Sequence, residues 1–485
     1  MSQDTLTPPP TSAVRGADEA LGLPHRWIIL FLVLAAEVVD LVDSTIVNIA
    51  APSIRRELGG SDSTMQWFLA AYTLAFAIGL VTSARIGDIV GRKTMFLIGM
   101  GGFTCASLLS GLAMSPEMLI GTRTIQGLFG AVMIPQGLAI IKAAFPPKEL
   151  GKAFTMFGPV MGLAAVLGPV IAGVLLNADL FGTGWRMIFL INVPVGVLAF
   201  VEAVRYLPTL RLPGQRVRLD PLGTVLITVA CALLIYPLVQ GHELGWPLWT
   251  FAMIAGSLLV LALFGLNERR SADPLIEPTL FRNRAFTGGL AVIMTMFVAM
   301  MGFILVFNLF TQLGLGYSPL RAGLAMVPWA LGISIGAGLA GAWLGPKYGR
   351  KVLHGGLLVV SVAMVGVWYT VHSQGAGLTV WDLAPAMLVA GCGSGLVFAP
   401  MFDIILAGVN EREVGSASGV LNAFQQFGGA LGVAVVGTLF FELLPHHLFV
   451  GSMEAVTITS MALFLVSFAC AFLLPKYARP QELGH

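Results

Sequence analysis

Charge is scarce in this chain. Asp, Glu, Lys and Arg make up 11% of its 485 residues, against roughly 25% in ordinary soluble domains. A fold with water on every side is therefore excluded. Cysteine is sparse as well. Cys105, Cys231, Cys392 and Cys470 all lie in apolar runs, and their spacing fits neither a metal site nor a disulfide framework. No polar segment is large enough to house a soluble nucleotide-binding domain, and no G-x-x-x-x-G-K-[ST] phosphate loop occurs. ATP-driven pumping by this chain alone is not expected. No His/Cys/carboxylate cluster has metal-ligand spacing, and no Ser/His/Asp arrangement stands out. The expectation is of no metal, no cofactor, no nucleic acid and no enzyme activity.

What the chain has in abundance is apolar length. It is 56% hydrophobic with a mean hydropathy of +0.86, and the hydrophobicity recurs almost from end to end. Gly (58) and Met (21) are plentiful, and both suit close helix packing and adaptable cavities. A helix needs about 20 apolar residues to cross about 30 Å of hydrocarbon. Candidate spans are 27–50, 64–84, 94–114, 117–141, 153–177, 187–208, 220–241, 247–267, 286–312, 321–344, 352–372, 383–408, 415–442 and 454–475. This predicts an all-α membrane protein with fourteen spans.

The polar residues 1–26, with Pro8-Pro9-Pro10, read as a disordered cytoplasmic tail. They are not expected to be a signal peptide, because no apolar stretch precedes Trp27. Residues 476–485 form a second cytoplasmic tail. If the N-terminus is cytoplasmic, then of 27 Lys and Arg only Arg55, Arg56, Arg186 and Arg321 fall outside, with Arg123 inside a span. That bias supports a bacterial inner-membrane protein with both termini inside.

An internal repeat is visible. Gly87-Asp88-Ile89-Val90-Gly91-Arg92-Lys93 follows the second span, and Gly345-Pro346-Lys347-Tyr348-Gly349-Arg350-Lys351 follows the tenth. Two six-helix bundles, 27–208 and 286–475, would make these loops equivalent, with two accessory helices in 209–285 inserted between them.

Ionisable residues inside spans are costly and default to function. The first span carries Glu37, Asp40 and Asp43. At three-residue spacing they cover an arc of about 120°, which can face one polar cavity. Glu37 lies about 15 Å from the cytoplasmic entry, near the midplane, with Asp40 and Asp43 progressively nearer the outside. Carboxylates this close in a low dielectric repel, so at least one is expected to hold a proton near neutral pH and to titrate as part of a coupled set. That suits a proton-coupled carrier; the alternative is that the acids only bond one another or neighbouring helices. Arg123 in the fourth span falls near the level of Asp40 and Asp43 and is expected to face the same cavity and pair with one of them. A static ion pair that stitches two helices is the competing reading. Gln126, one turn further in, is a neutral cavity candidate. In the second half, Asn308, Gln312 and Gln425 are candidates for the cavity or for helix–helix bonds. Asp403, near the cytoplasmic end of the twelfth span, suits snorkelling or a gate salt bridge better than a proton role.

These motifs resemble the major facilitator superfamily, in particular its fourteen-helix drug:proton antiporters of the EmrB/QacA type. The resemblance runs from Trp27 to about Pro475. Asp43-Ser-Thr-Ile-Val-Asn48-Ile-Ala-Ala-Pro52 is similar to the first-helix signature, with Ala51 where Leu is usual. Arg85-Ile-Gly-Asp88-Ile-Val-Gly91-Arg92-Lys93 resembles the loop between helices two and three, with Ala84 at the usual Gly and Ile89 at the usual Arg. That implies gating roles for Asp88 and Arg92. Arg123-Thr-Ile-Gln126-Gly127 looks like the motif associated with proton coupling. Gly168-Pro169-Val-Ile-Ala172-Gly173 resembles the antiporter motif associated with export, with Ala172 replacing one Gly. Trp185-Arg186-Met-Ile-Phe-Leu-Ile-Asn192-Val-Pro194 resembles a stretch particular to the fourteen-helix group.

The resemblance implies a proton-coupled multidrug efflux antiporter for lipophilic, often cationic compounds. Its partners would be a small-molecule substrate, protons and the lipid bilayer; a periplasmic adaptor is neither indicated nor excluded. The alternative is a dedicated exporter of one endogenous metabolite or antibiotic. An uptake symporter, against which the Gly168-Pro169 stretch argues, and a non-transporting receptor are weaker alternatives.

Overall fold

The computed structural model describes residues 25–146, 149, 153, 156–208, 220–271, 274–406, 409 and 414–475. It gives side chains at all of them except 81, 84, 85, 88, 157–159, 161, 162, 165, 166, 346, 376, 399 and 414–416. The expected tails lie outside these residues, apart from His25 and Arg26. Among the described residues the fold is helical, without strands. Hydrocarbon leaves a spanning backbone few choices: a helix satisfies its own N–H and C=O groups, and an open strand does not.

In chain order the main helices are α1 (Arg26–Leu58), α2 (Asp62–Val90), α3 (Arg92–Gly111), α4 (Pro116–Ala144), α5 (Phe157–Ala178), α6 (Asn192–Tyr206), α7 (Pro221–Gln240), α8 (Leu248–Arg270), α9 (Arg284–Leu309), α10 (Pro319–Leu339), α11 (Arg350–Gln374), α12 (Val380–Leu406) and α13 (Val414–Cys470). Several starts are written in the sequence as a capping side chain followed by proline. Ser115 accepts from the Met118 N–H at 3.2 Å before Pro116, Asp220 from Gly223 at 2.9 Å before Pro221, and Ser318 from Arg321 at 3.3 Å before Pro319.

Eleven helices among the described residues are long and apolar enough to cross a membrane. The sequence predicts fourteen, and the difference has three physical sources. The carboxylates of α1 keep that 33-residue helix out of the apolar class. In α5 the apolar helix among the described residues is the shorter stretch Leu167–Ala178. The expected spans 415–442 and 454–475 are limbs of one 57-residue run, α13, interrupted at Leu448 (φ 55°, ψ −175°) just after Pro445. The run doubles back there. Gly432 on one limb packs against Val298 of α9, while Ser467 on the other shares a 2.6 Å hydrogen bond with Thr295, one turn away on the same helix.

Helices α1–α6 pack among themselves, as do α9–α13, and the two groups meet through α5 against α10 and α2 against α13. Small residues make the first contact close. A Cβ at Gly173 would sit 2.6 Å from the Leu320 Cα, and one at Gly323 would strike the carbonyl oxygen of Pro169. Glycine here removes the atoms that would hold two backbones apart. Near the same end, where α1 stops and α2 starts, Gln312 donates to the Ile49 carbonyl at 2.9 Å.

Helices α7 and α8 form a hairpin whose connecting loop touches both groups. Glu243 accepts from the Ser63 N–H at 2.8 Å, at the start of α2, while His242 pairs with Glu442 on α13. The Leu238 carbonyl accepts from Thr438 at 2.7 Å. Partial burial works to raise the Glu243 pKa, but hydrogen bonds from Ser61 and Ser63 and the nearby His242 outweigh it. The carboxyl is held below the ordinary range.

Candidate functional site

The three acids of α1 meet three different environments. Asp43 is fully buried and its oxygens are spoken for. Oδ2 forms an ion pair with the Arg123 guanidinium, and Oδ1 accepts from Gln126 at 3.0 Å and Asn192 at 2.7 Å. Asp40, three residues earlier and half-buried, accepts from the Tyr72 hydroxyl. Glu37 is half-buried and has no hydrogen-bond or ion-pair partner among the described residues. The expectation that all three face one polar cavity needs correcting: donors from α4 and α6 close around Asp43 and seal it.

Arg123 is 1% exposed and is held from several sides. Besides Asp43 it donates to Gln126 Oε1 at 2.9 Å and, through Nε, to the Phe68 carbonyl at 3.4 Å. Its guanidinium lies 4.2 Å from the centre of the Tyr72 ring and 5.7 Å from that of Phe189. A charge so far from water is tolerated only when it is paired and hydrogen-bonded, and here Asp43 supplies the counter-ion while Gln126 and the Phe68 carbonyl accept from Nη1 and Nε.

The local fold supplies this geometry. Arg123 and Gln126 are one turn apart on α4 and so share a face. Close helix approach brings them to α1 and α2: a side chain at Gly127 would run into the Tyr72 carbonyl, and one at Gly130 would lie 2.9 Å from Asp40 Oδ1. On the far side, Asn192 also donates to Ser107 at 3.1 Å, and Ser107 to the Phe189 carbonyl at 3.0 Å. Polar atoms are thus linked continuously from α3 through α6, α1 and α4 to α2.

The structure gathers Glu37, Asp40, Asp43, Arg123 and Gln126 into one region. Gly168 lies against Thr45 on α1, with Pro169 beside it facing Gly323. The second-half candidates do not join this network. Gln312 bonds α1 at Ile49, Asn308 donates to its own helix at Ile304 (2.8 Å), Gln425 is half-buried and Asp403 is exposed. Arg92 opens α3, half-buried; the Asp88 side chain lies outside the described residues. Tyr72 and Ser107 were not singled out in the sequence, and Asn192 only as part of a motif. A hydroxyl or amide in an apolar span is the only signal they carry. Among the described residues no group of three or more His, Cys, Asp or Glu is placed to hold a metal ion.

A buried ion pair beside two less enclosed acids can hold a variable number of protons and can respond to a cation that approaches them. Comparison with known proteins agrees with a membrane carrier. The sequence profile of the Major Facilitator Superfamily matches residues 33–433. The chain is 49% identical over 453 residues to the probable actinorhodin transporter of Streptomyces coelicolor, covering 91% of this chain and 78% of that one. It is 31% identical over 441 residues to the tetracenomycin C resistance and export protein of Streptomyces glaucescens, covering 90% and 80%. Its fold is similar to that of a crystallised POT family transporter in complex with 5-aminolevulinic acid (TM-score 0.67, 16% identity, 93% and 96% covered).

Proposed function

The chain belongs to the Major Facilitator Superfamily as a multi-pass membrane protein, and we propose that it is a proton-coupled efflux antiporter, exporting lipophilic, often cationic compounds by alternating access. The observation that carries this reading is the graded enclosure along α1, from the saturated Asp43 through the singly bonded Asp40 to the unpartnered Glu37. A carrier needs a fixed charge pair to hold its helices and looser acids to exchange cargo, and this helix has both.

In this reading α1 and α5 also cross the bilayer and α13 crosses it twice, which gives fourteen spans. On the same reading the chain lies in a bacterial inner membrane with both termini in the cytoplasm and the α1–α2 turn outside, an orientation that the distribution of Lys and Arg supports. The bundles are 27–208 and 286–475, with residues 209–285 inserted. Facing outward, Glu37 and Asp40 take up protons and release substrate. Facing inward they lose the protons, and the freed carboxylates attract the next cation. The close α5–α10 contact forms and parts as the bundles rock. Asp88 and Arg92 belong to the gate at the opposite end.

Export of one dedicated compound is the second reading. It is favoured by the relatives, a probable actinorhodin transporter and a tetracenomycin C resistance and export protein. A narrow substrate profile supports it and a broad one supports multidrug efflux.

The test is reconstitution in liposomes with a trapped pH dye, an imposed proton gradient and ethidium as probe. Ethidium-dependent proton movement in the wild type, lost in a Glu37→Gln/Asp40→Asn double variant, is the expected result. A folded wild type that moves no protons with any lipophilic cation tried would overturn antiport of cations.

A further inference from the structure

Tyr72 makes two contacts that no other side chain of the network combines. The edge of its ring ends in the hydroxyl that donates to Asp40, and its face carries the Arg123 guanidinium at 4.2 Å. Asp40 and Asp43 sit three residues apart on α1, yet they do not share a donor. Arg123 serves Asp43, and Tyr72 is the hydrogen-bond donor to Asp40 among the described residues. We propose that Tyr72 is a positioning residue that ties the charge on Asp40 to the Arg123–Asp43 ion pair, a role that rests on the proton-exchange reading above.

The argument is geometric. Tyr72 is fully buried, its ring is packed beside Phe76 (centroids 5.9 Å apart), and its backbone carbonyl is pressed against Gly127 of α4. It cannot drift freely between partners. While Asp40 is charged, the hydroxyl is drawn to it, and this fixes the ring under Arg123. A proton on Asp40 turns that oxygen from a pure acceptor into a group with a proton of its own. The hydroxyl then loses its strongest partner, the ring can tilt, and the guanidinium loses part of its π contact. A proton bound at one acid is thereby felt at the ion pair that holds α1 to α4. The charged and titratable groups facing Asp40 are Glu37 and Asp43 from its own helix, Tyr72 from α2 and Arg123 from α4. The neutral Asn192 of α6 reaches Asp43 instead.

The experiment uses the full chain in liposomes with ethidium, as wild type, Tyr72→Phe and Tyr72→Leu, over a range of pH. Phenylalanine keeps the π face and removes the donor. Without that donor the charged form of Asp40 is harder to reach, so the pH at half-maximal ethidium-driven proton release should rise by about one unit. Leucine also removes the face. It should lower coupled transport at least ~10-fold while ethidium/ethidium exchange, which needs no net proton movement, persists. A Tyr72→Phe profile that superimposes on a coupled wild type, or is merely scaled down with its pH dependence intact, would overturn the role of Tyr72 and leave the antiport reading standing. A wild type that moves no protons would overturn that reading first, and this one with it.

Discussion

Asn192 donates to Asp43 at 2.7 Å across 149 residues of sequence. The sixth helix thereby closes the ion pair that the first and fourth make. The pair is dry, so breaking it from one side should be severe. Asp43→Asn leaves Arg123 buried without its counter-ion and should cost about 3–5 kcal/mol. It would be seen as a large drop in detergent melting temperature and in yield. Asp43→Leu/Arg123→Met removes both charges and should recover most of that stability while remaining inactive in transport. Equal instability of the single and double variants would contradict the pair's description as a matched charge.

The contact between α5 and α10 should be intolerant of bulk. Gly323→Leu drives a side chain into the Pro169 carbonyl and should cut transport at least ~10-fold in protein that still folds. Gly338→Leu on the same helix meets nothing within 4 Å and should transport normally. Comparing initial rates of ethidium efflux in the two variants checks this.

Asn308 is 1% exposed and its Oδ1 has no hydrogen-bond partner among the described residues. A buried acceptor left unsatisfied costs about 1–3 kcal/mol. Asn308→Leu should therefore leave the substrate-free protein as stable as the wild type or more so, by thermal melting. If the amide contacts cargo, the same variant should raise the apparent KM for ethidium.

Glu243 gives a pH dependence whose sign is fixed. Its folded pKa lies below the ordinary value, so its contribution to stability is present above the unfolded pKa and fades as pH falls through the folded one. Melting temperature should decline on acidification below about pH 4, and Glu243→Gln should flatten that part of the curve. An unchanged slope would mean that the carboxylate does not anchor the loop to Ser63.

Much of this was readable in advance because it is local. Apolar runs the length of a bilayer, Pro-marked helix starts and an Arg at the depth of two carboxylates all follow from counting along a helix. Partners across helices do not. The spacing of Glu37, Asp40 and Asp43 gives their arc but not the donors that seal one of them. Nothing near Tyr72 or Ser107 in the sequence announces a polar contact. Gln312 could be named as polar, but its bond to the Ile49 carbonyl depends on how α9 meets α1. Pro445 and the histidine pair that follows it mark a break between the two limbs of α13, but that the chain reverses at Leu448 rests on its backbone angles, which no residue type there dictates.

The α7–α8 loop grips Ser63 at one side and Glu442 at the other. Parting α2 from α13 at that end must release one of these grips. Each is modest: a partly exposed ion pair is worth about 0–1 kcal/mol and a hydrogen bond about 1. The inserted hairpin therefore acts as a light thermodynamic bias, shifting the ratio of closed to open populations by at most roughly fivefold. A catch this weak sets a resting preference and still lets thermal motion lift it in every cycle.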